Sequence, residues 1–155
     1  MQDLFREALA HWASGVTVVA ARDGDEVRGM TASSFSSVSL EPPLVLVCVD
    51  ERANLLPVLE RADRFTINLL AQGQDEESSH FAGKPADRLL KNPPFAIAGN
   101  CTMDTALASL ICSPWRFYPG GDHRIVVGKV EEVVLGKNQD LLPLVYYRRD
   151  YRTLT

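Results

Sequence analysis

The stretch GMTASSFSSVSLEPPLVLVCVD, residues 29–50, runs a cluster of short hydroxyl side chains directly into a strongly apolar strand. Thr31, Ser33, Ser34, Ser36 and Ser37 crowd around Phe35, and Pro42-Pro43 launch LVLVCV (44–49), which reads as apolar on both faces and hence central in a sheet. The hydroxyl run has two readings. Backbone N–H groups and short hydroxyls converging in a concave turn bind an anion such as a phosphate without net positive charge, and Phe35 with the apolar strand would wall in a flat ring. Alternatively, Ser and Thr only satisfy the rim of a barrel, and composition alone favours that rim. Asp50, which ends the strand, reads equally as a turn former.

Toward the N-terminus, Leu4, Phe5, Ala8, Leu9 and Trp12 recur at helical spacing, so residues 3–13 read as an amphipathic helix that stops at Ser14-Gly15. VTVVAA (16–21) and VRGMTAS (27–33) are strands joined by RDGDE, which carries the Asp-Gly hairpin signature. Toward the C-terminus, NLLPVLERA (54–62) fits a short helix whose Pro57 belongs in the first turn or kinks it. FTINLL (65–70) is a strand, and DEESSHFAG (75–83) is a helix with an acidic start that ends near Gly83. ALASLICSPWRFYPG (106–120) and HRIVVGKVEEVVLG (123–136) read as the two long strands of a hairpin, and LPLVYYRRDYRTL (142–154) as one final strand and a tail. Strands outnumber helices, hairpins join them and no βαβ alternation occurs. The fold class is therefore mainly β, a β-barrel or sandwich with peripheral helices, in a single domain over residues 1–155.

Composition narrows the function. The 155 residues are 46% hydrophobic, enough for one real core, and the net charge of -4 with no basic block argues against nucleic-acid binding. The richest apolar run is strand-sized, well short of the roughly 20 residues of a membrane helix, and the N-terminus lacks the layout of a signal peptide. Three cysteines without CxxC spacing, Cys48, Cys101 and Cys112, fit reduced thiols in a cytoplasm better than a disulfide framework or a zinc site. GxGxxG, GxxxxGK[ST], HExxH and GxSxG are all absent, and His11, His80 and His123 fall on separate elements, so no metal site is expected.

Two further stretches carry chemistry. In GGDHRIVVGKV (120–130) a tight turn delivers His123 to the mouth of an otherwise apolar strand, where it either positions a substrate or is an ordinary strand-end histidine. In YYRRDYR (146–152) aromatics beside arginines suit ring stacking and phosphate pairing, or equally a dimer edge.

Together, FREALAHWASGVTVVAA, GMTASSFSSVSLEPPLVLVCVD, RFTINLLAQGQDEESSHFAGKPADR, ALASLICSPWRFYPGGDHRIVVGKVEEV and PLVYYRRDYRTL closely resemble the short-chain flavin reductases, the NAD(P)H:flavin oxidoreductases that serve two-component monooxygenases. The resemblance spans nearly the whole chain. It implies the FMN-binding split barrel, a homodimer, FMN or FAD as flavin, NADH or NADPH as hydride donor, and a flavin-dependent monooxygenase as recipient of reduced flavin. A non-catalytic flavin-binding protein on the same barrel is the alternative. Residue by residue, the resemblance implies that Thr31, Ala32, Ser33, Ser34 and Phe35 lie along the flavin ring and ribityl chain, with Ser37 and Ser39 in the same cradle. Cys48, Val49 and Asp50 correspond to the strand end at the ring edge, Asn54 to a phosphate-binding turn, and Phe81 and Lys84 to the segment that closes over the flavin. His123, with Asp150, Tyr151 and Arg152, matches positions associated with the nicotinamide dinucleotide, His123 as the residue nearest the chemistry. Two departures stand out: Leu55 replaces a frequent Ser or Thr beside the phosphate, and ADRLLKNPPF lacks the usual aromatic after Asp87-Arg88.

Overall fold

The computed structural model of the chain describes residues 1–83 and 99–155. Its elements follow in order as α1 (Gln2–Ala10), β1 (Ser14–Gly15), β2 (Thr17–Asp23), β3 (Glu26–Ala32), β4 (Ser36–Leu40), β5 (Pro43–Asp50), α2 (Leu55–Arg61), β6 (Phe65–Leu69), α3 (Asp75–Ala82), β7 (Ala108–Gly120), β8 (His123–Leu135), β9 (Val145–Tyr147) and β10 (Asp150–Arg152). The β2–β3 turn sets Gly24 at φ +61°, a conformation that suits glycine in a tight hairpin. Seven strands form one antiparallel sheet in the order β3-β2-β6-β7-β8-β5-β4, and β1, β9 and β10 form a second, small sheet.

The strand order forces curvature. The edge strands β3 and β4 are consecutive in sequence and only Ser33, Ser34 and Phe35 connect them. Laid flat, the outer strands of a seven-stranded sheet stand about 29 Å apart, whereas so short a connection reaches at most about 14 Å. The sheet therefore curls until its edges approach, a barrel left split along the β3–β4 seam. The 29–50 stretch decides the fold in this sense: its hydroxyl run is the seam.

The two faces of β2 show how the core divides. Val19 packs with Val47, Val49, Leu59, Phe65, Ile67 and Val126 inside the barrel, while Val18 packs outside it with Val16, Leu70, Phe81, Met103 and Leu144. Helix α2 plugs the barrel with Leu55, Leu56, Val58 and Leu59, and Pro57 sits in its first turn, where no intrahelical N–H is needed.

Ser36–Leu40, given no element of its own in the sequence analysis, is a strand, paired to β5 through Ser36↔Leu46 and Leu40↔Pro43. Two expectations need correction. Strand β5 is not buried on both faces: Val45, Val47 and Val49 enter the core, whereas Leu44, Leu46, Cys48 and Asp50 are half-exposed on the other face. The C-terminal segment is a hairpin, β9 and β10 joined by Arg148-Arg149, and not one strand.

Candidate functional site

The seam holds the candidate site. Ser33, Ser34 and Phe35 lie between the β2–β3 ladder, which ends at Ala32, and the β4–β5 ladder, which begins at Ser36, so their backbone groups belong to neither. Past Leu46, β5 has no β4 partner, and the Ser34 hydroxyl takes its place: it accepts from the Cys48 N–H at 3.0 Å and donates to the Cys48 carbonyl at 3.2 Å. Thr31 donates its hydroxyl to the Ser78 carbonyl at 2.6 Å, and Ser78 Oγ shares a hydrogen bond of 2.6 Å with the Tyr151 hydroxyl. One chain of bonds thus ties β3, α3 and β10 together beneath the seam. Phe81 of α3 packs against Gly29, where a Cβ would come within 2.6 Å of its ring.

Among the described residues, two cavities open beside the seam. One of about 670 Å³ lies between α1, the Ser33–Ser36 segment and the β9–β10 turn, with Trp12, Phe35 and Arg148 among its walls. The other, about 420 Å³, continues from Trp12, Ser33 and Phe35 toward Leu69 and Pro143. Both volumes lie in the range of small-molecule sites, and aromatic walls with a few polar groups suit a flat heterocycle. The donor set fits a flavin: hydroxyls and main-chain N–H groups of a seam outside any ladder, set against Phe35 and Trp12.

At the neighbouring strand mouth, β5 and β8 pair Asp50 with His123. Arg52 takes the Asp50 carboxylate through its backbone N–H at 2.8 Å and its guanidinium at 3.1 Å, and these bonds hold the Asp50 carboxyl down at about 2. Asp122 lies 2.7 Å from His123 Nδ1, a contact that lowers the Asp122 carboxyl and leaves Nε2 without a hydrogen-bond partner among the described residues. Arg124 bonds Glu51 at 2.6 Å and Glu60 at 3.2 Å, fastening β8 to α2.

Residues 9–155 match the family described as flavin reductase like domain. The chain belongs to the flavin reductase-like family. Among curated proteins it is 55% identical over 154 residues to the reductase component of 4-hydroxyphenylacetate 3-monooxygenase from Thermus thermophilus, covering 99% of this chain and 97% of the relative. It is 38% identical to an NADH-dependent flavin reductase from a Rhodococcus species, covering 96% and 84% of the two chains. Among solved structures, the NADH:FAD oxidoreductase of Streptomyces globisporus C-1027, in complex with NAD and FAD fragments, superimposes with a TM-score of 0.88 at 32% identity, over 99% of this chain and 93% of that one. Split-barrel flavin reductases are thus its structural neighbours.

In this flavin reductase-like chain the residues picked from sequence fall into distinct places. Ser33, Ser34 and Phe35 line the larger cavity; Ala32 and Val49 are buried, and Thr31 is committed to Ser78. Ser37 is exposed and Ser39 half-buried on β4, across a bulge and away from both cavities. Asn54 is exposed at the start of α2, and Phe81 is buried under β3. Asp150 accepts the Tyr151 N–H at 2.9 Å and stands 3.9 Å from Arg152 on the outside of the hairpin. Lys84 and Arg88 lie outside the described residues. Arg6, Leu9 and Trp12 of the α1 segment, expected only as part of a helix, and Arg148 and Arg149, expected only within a stretch suited to phosphate pairing or a dimer edge, all face the larger cavity. Their signals were present as an apolar helix face and a pair of arginines, but only the fold brings the two ends of the chain together.

Proposed function

We propose that this chain reduces FMN or FAD at the expense of NADH or NADPH and hands reduced flavin to a partner monooxygenase. The observation that carries the reading is the unladdered Ser33–Phe35 seam on a cavity of about 670 Å³, in a chain of the flavin reductase-like family. The relatives named as monooxygenase reductase components support the partner.

When bound, the flavin supplies the hydride-accepting chemistry. The chain's residues supply position and surroundings. Main-chain N–H groups of Ser33–Phe35 offer fixed dipoles to the electron-rich edge of a ring, and such donors need not reorganise during reaction. Phe35 and Trp12 exclude water and hold flat rings face to face, an orientation effect. Ser34 keeps the seam on Cys48, so Thr31, Ala32 and Cys48–Asp50 frame the cradle while Ser33 remains accessible. His123, with Asp122 on Nδ1, presents Nε2 toward the hydride donor. At the seam itself the flavin ring meets hydroxyls and main-chain groups and no ion pair, which suits a flavin that must leave.

Residues 1–155 act as one domain, and two copies associate. Glu131–Leu135 of β8 extend past the Leu44↔Lys129 pairing with β5, so one edge of that segment has no partner among the described strands, yet Val133, Val134 and Leu135 are exposed there. An unpaired apolar edge favours burial against another chain. No helix among the described residues is long and apolar enough to cross a membrane, and a cytoplasmic location accords with the free thiols of Cys48, Cys101 and Cys112.

Steady-state oxidation of NADH and NADPH with FMN, FAD and riboflavin in turn tests the reading. The expected result is donor consumption that requires added flavin; no turnover with any pair and no flavin binding would overturn it.

A further inference from the structure

The β9–β10 turn is built against its backbone preference. Tyr147 pairs with Asp150, so Arg148 and Arg149 alone form the loop, at φ +52° and +60°. Two-residue hairpins of this kind require positive φ at both central positions, which Asn-Gly meets readily and side chains with a full Cβ do not. Backbone outliers held at consecutive residues point to a use for the side chains.

Both arginines face the cavity of about 670 Å³ opposite Ser33–Ser36. The Arg148 N–H donates to the Ala10 carbonyl at 3.0 Å, which fixes the turn to the end of α1. Its guanidinium lies 5.5 Å from the centroid of the Tyr147 ring, and no carboxylate among the described residues pairs with it. Arg149 meets Glu7 at 3.2 Å, with both side chains 61% exposed, so water and a competing anion can replace that contact. The chain as a whole carries -4, so this positive wall is local.

We propose that Arg148 and Arg149 form a phosphate-recognition subsite at the mouth of the seam cavity, taking the phosphate ester of a nucleotide. The inference rests on the flavin reductase reading. Adjacent guanidinium forks match phosphate oxygens in a way that ammonium groups do not, and the strained turn sets them in place before the ligand arrives. The nucleotide is either the hydride donor or the flavin, which share this chemistry.

The test replaces the pair by the residues the turn prefers, Arg148→Asn with Arg149→Gly. The hairpin is then relieved rather than broken, and thermal unfolding should shift upward or stay level. If the donor's phosphates bind here, the KM for NADH rises at least tenfold relative to that for 1-benzyl-1,4-dihydronicotinamide, a donor without phosphate. If the flavin's phosphate binds here, the Kd for FMN rises at least tenfold relative to that for riboflavin. Arg148→Lys with Arg149→Lys should recover only part of either loss, and raised salt should weaken the wild type more than the Asn-Gly variant. Unchanged ratios for both pairs of ligands in the folded Asn-Gly variant would overturn the proposal. Wild-type reduction of riboflavin by the phosphate-free donor checks the underlying reading separately, because neither reactant needs the arginines.

Discussion

Ser34 shows why a hydroxyl is needed at one position of the seam. Its oxygen both accepts from and donates to the Cys48 backbone, replacing a missing strand partner. In Ser34→Ala both groups lose that partner at a half-buried site, a loss of about 1–2 kcal/mol, and chemical denaturation should show it along with weakened flavin affinity. Unchanged stability would mean that water replaces the hydroxyl without penalty. In the proposed function His123 meets the donor through Nε2, so His123→Ala should raise the KM for the nicotinamide donor about tenfold, the worth of one hydrogen bond, with flavin Kd unaltered. A normal KM would remove His123 from the site. Asp50 gives a pH signature. Its folded carboxyl titrates near 2 because Arg52 bonds the charged form, while an unfolded Asp titrates near 3.9. Its contribution is therefore complete above about pH 4 and lost as the pH falls toward 2. Urea midpoints measured over that window should fall more steeply for the wild type than for Asp50→Asn; parallel curves would discount the Arg52 contact.

At the scale of elements, the long β7–β8 hairpin was legible because both strands carry apolar runs of strand length and Gly120-Gly121-Asp122 marks the turn. The acidic start and Gly83 end of α3 were legible for the same local reason. Strand β4 was not: Ser-rich and largely exposed, it is a strand only because β5 offers it a ladder. The C-terminal hairpin was missed because Arg-Arg stands where a glycine or asparagine would have announced the turn. The interior glycine of β8 is another local sign of long-range packing. A Cβ on Gly128 would lie 2.6 Å from the Phe65 ring and 3.0 Å from the Cys112 Cβ, and both of those residues are buried in the barrel core. Gly128→Ala should thus destabilise by about 1–3 kcal/mol through overpacking, read as a lower denaturation midpoint. A midpoint equal to the wild type would show that Phe65 can move aside.

For the molecule as a whole, the sequence allowed a barrel or a sandwich, and what separates them is the seam: consecutive strands placed at opposite edges of a seven-stranded sheet. That order is a property of long-range pairing, which local propensity does not encode. The candidate site was legible in outline because its hydroxyls cluster in sequence, yet which hydroxyls stay open to a cavity depended on partners far along the chain. Thr31 turned out to serve Ser78, 47 residues away, and Ser34 serves Cys48, 14 residues away. The same separation explains why α1 and the Arg148-Arg149 turn joined the cavity unannounced. None of the α1 residues is buried, and Leu4, Phe5 and Leu9 are more than half exposed, as are Val133 and Leu135 on the open edge of β8. Apolar surface of this extent on a small domain marks an interface, and the β8 edge is the part that a second sheet could extend or cover. Light scattering on the intact chain should give twice the chain mass, and Val133→Lys with Leu135→Lys should lower it toward one, since charges on an edge strand oppose edge association. A monomeric wild type would refute the dimer, and a variant that remains fully dimeric would move the interface away from β8.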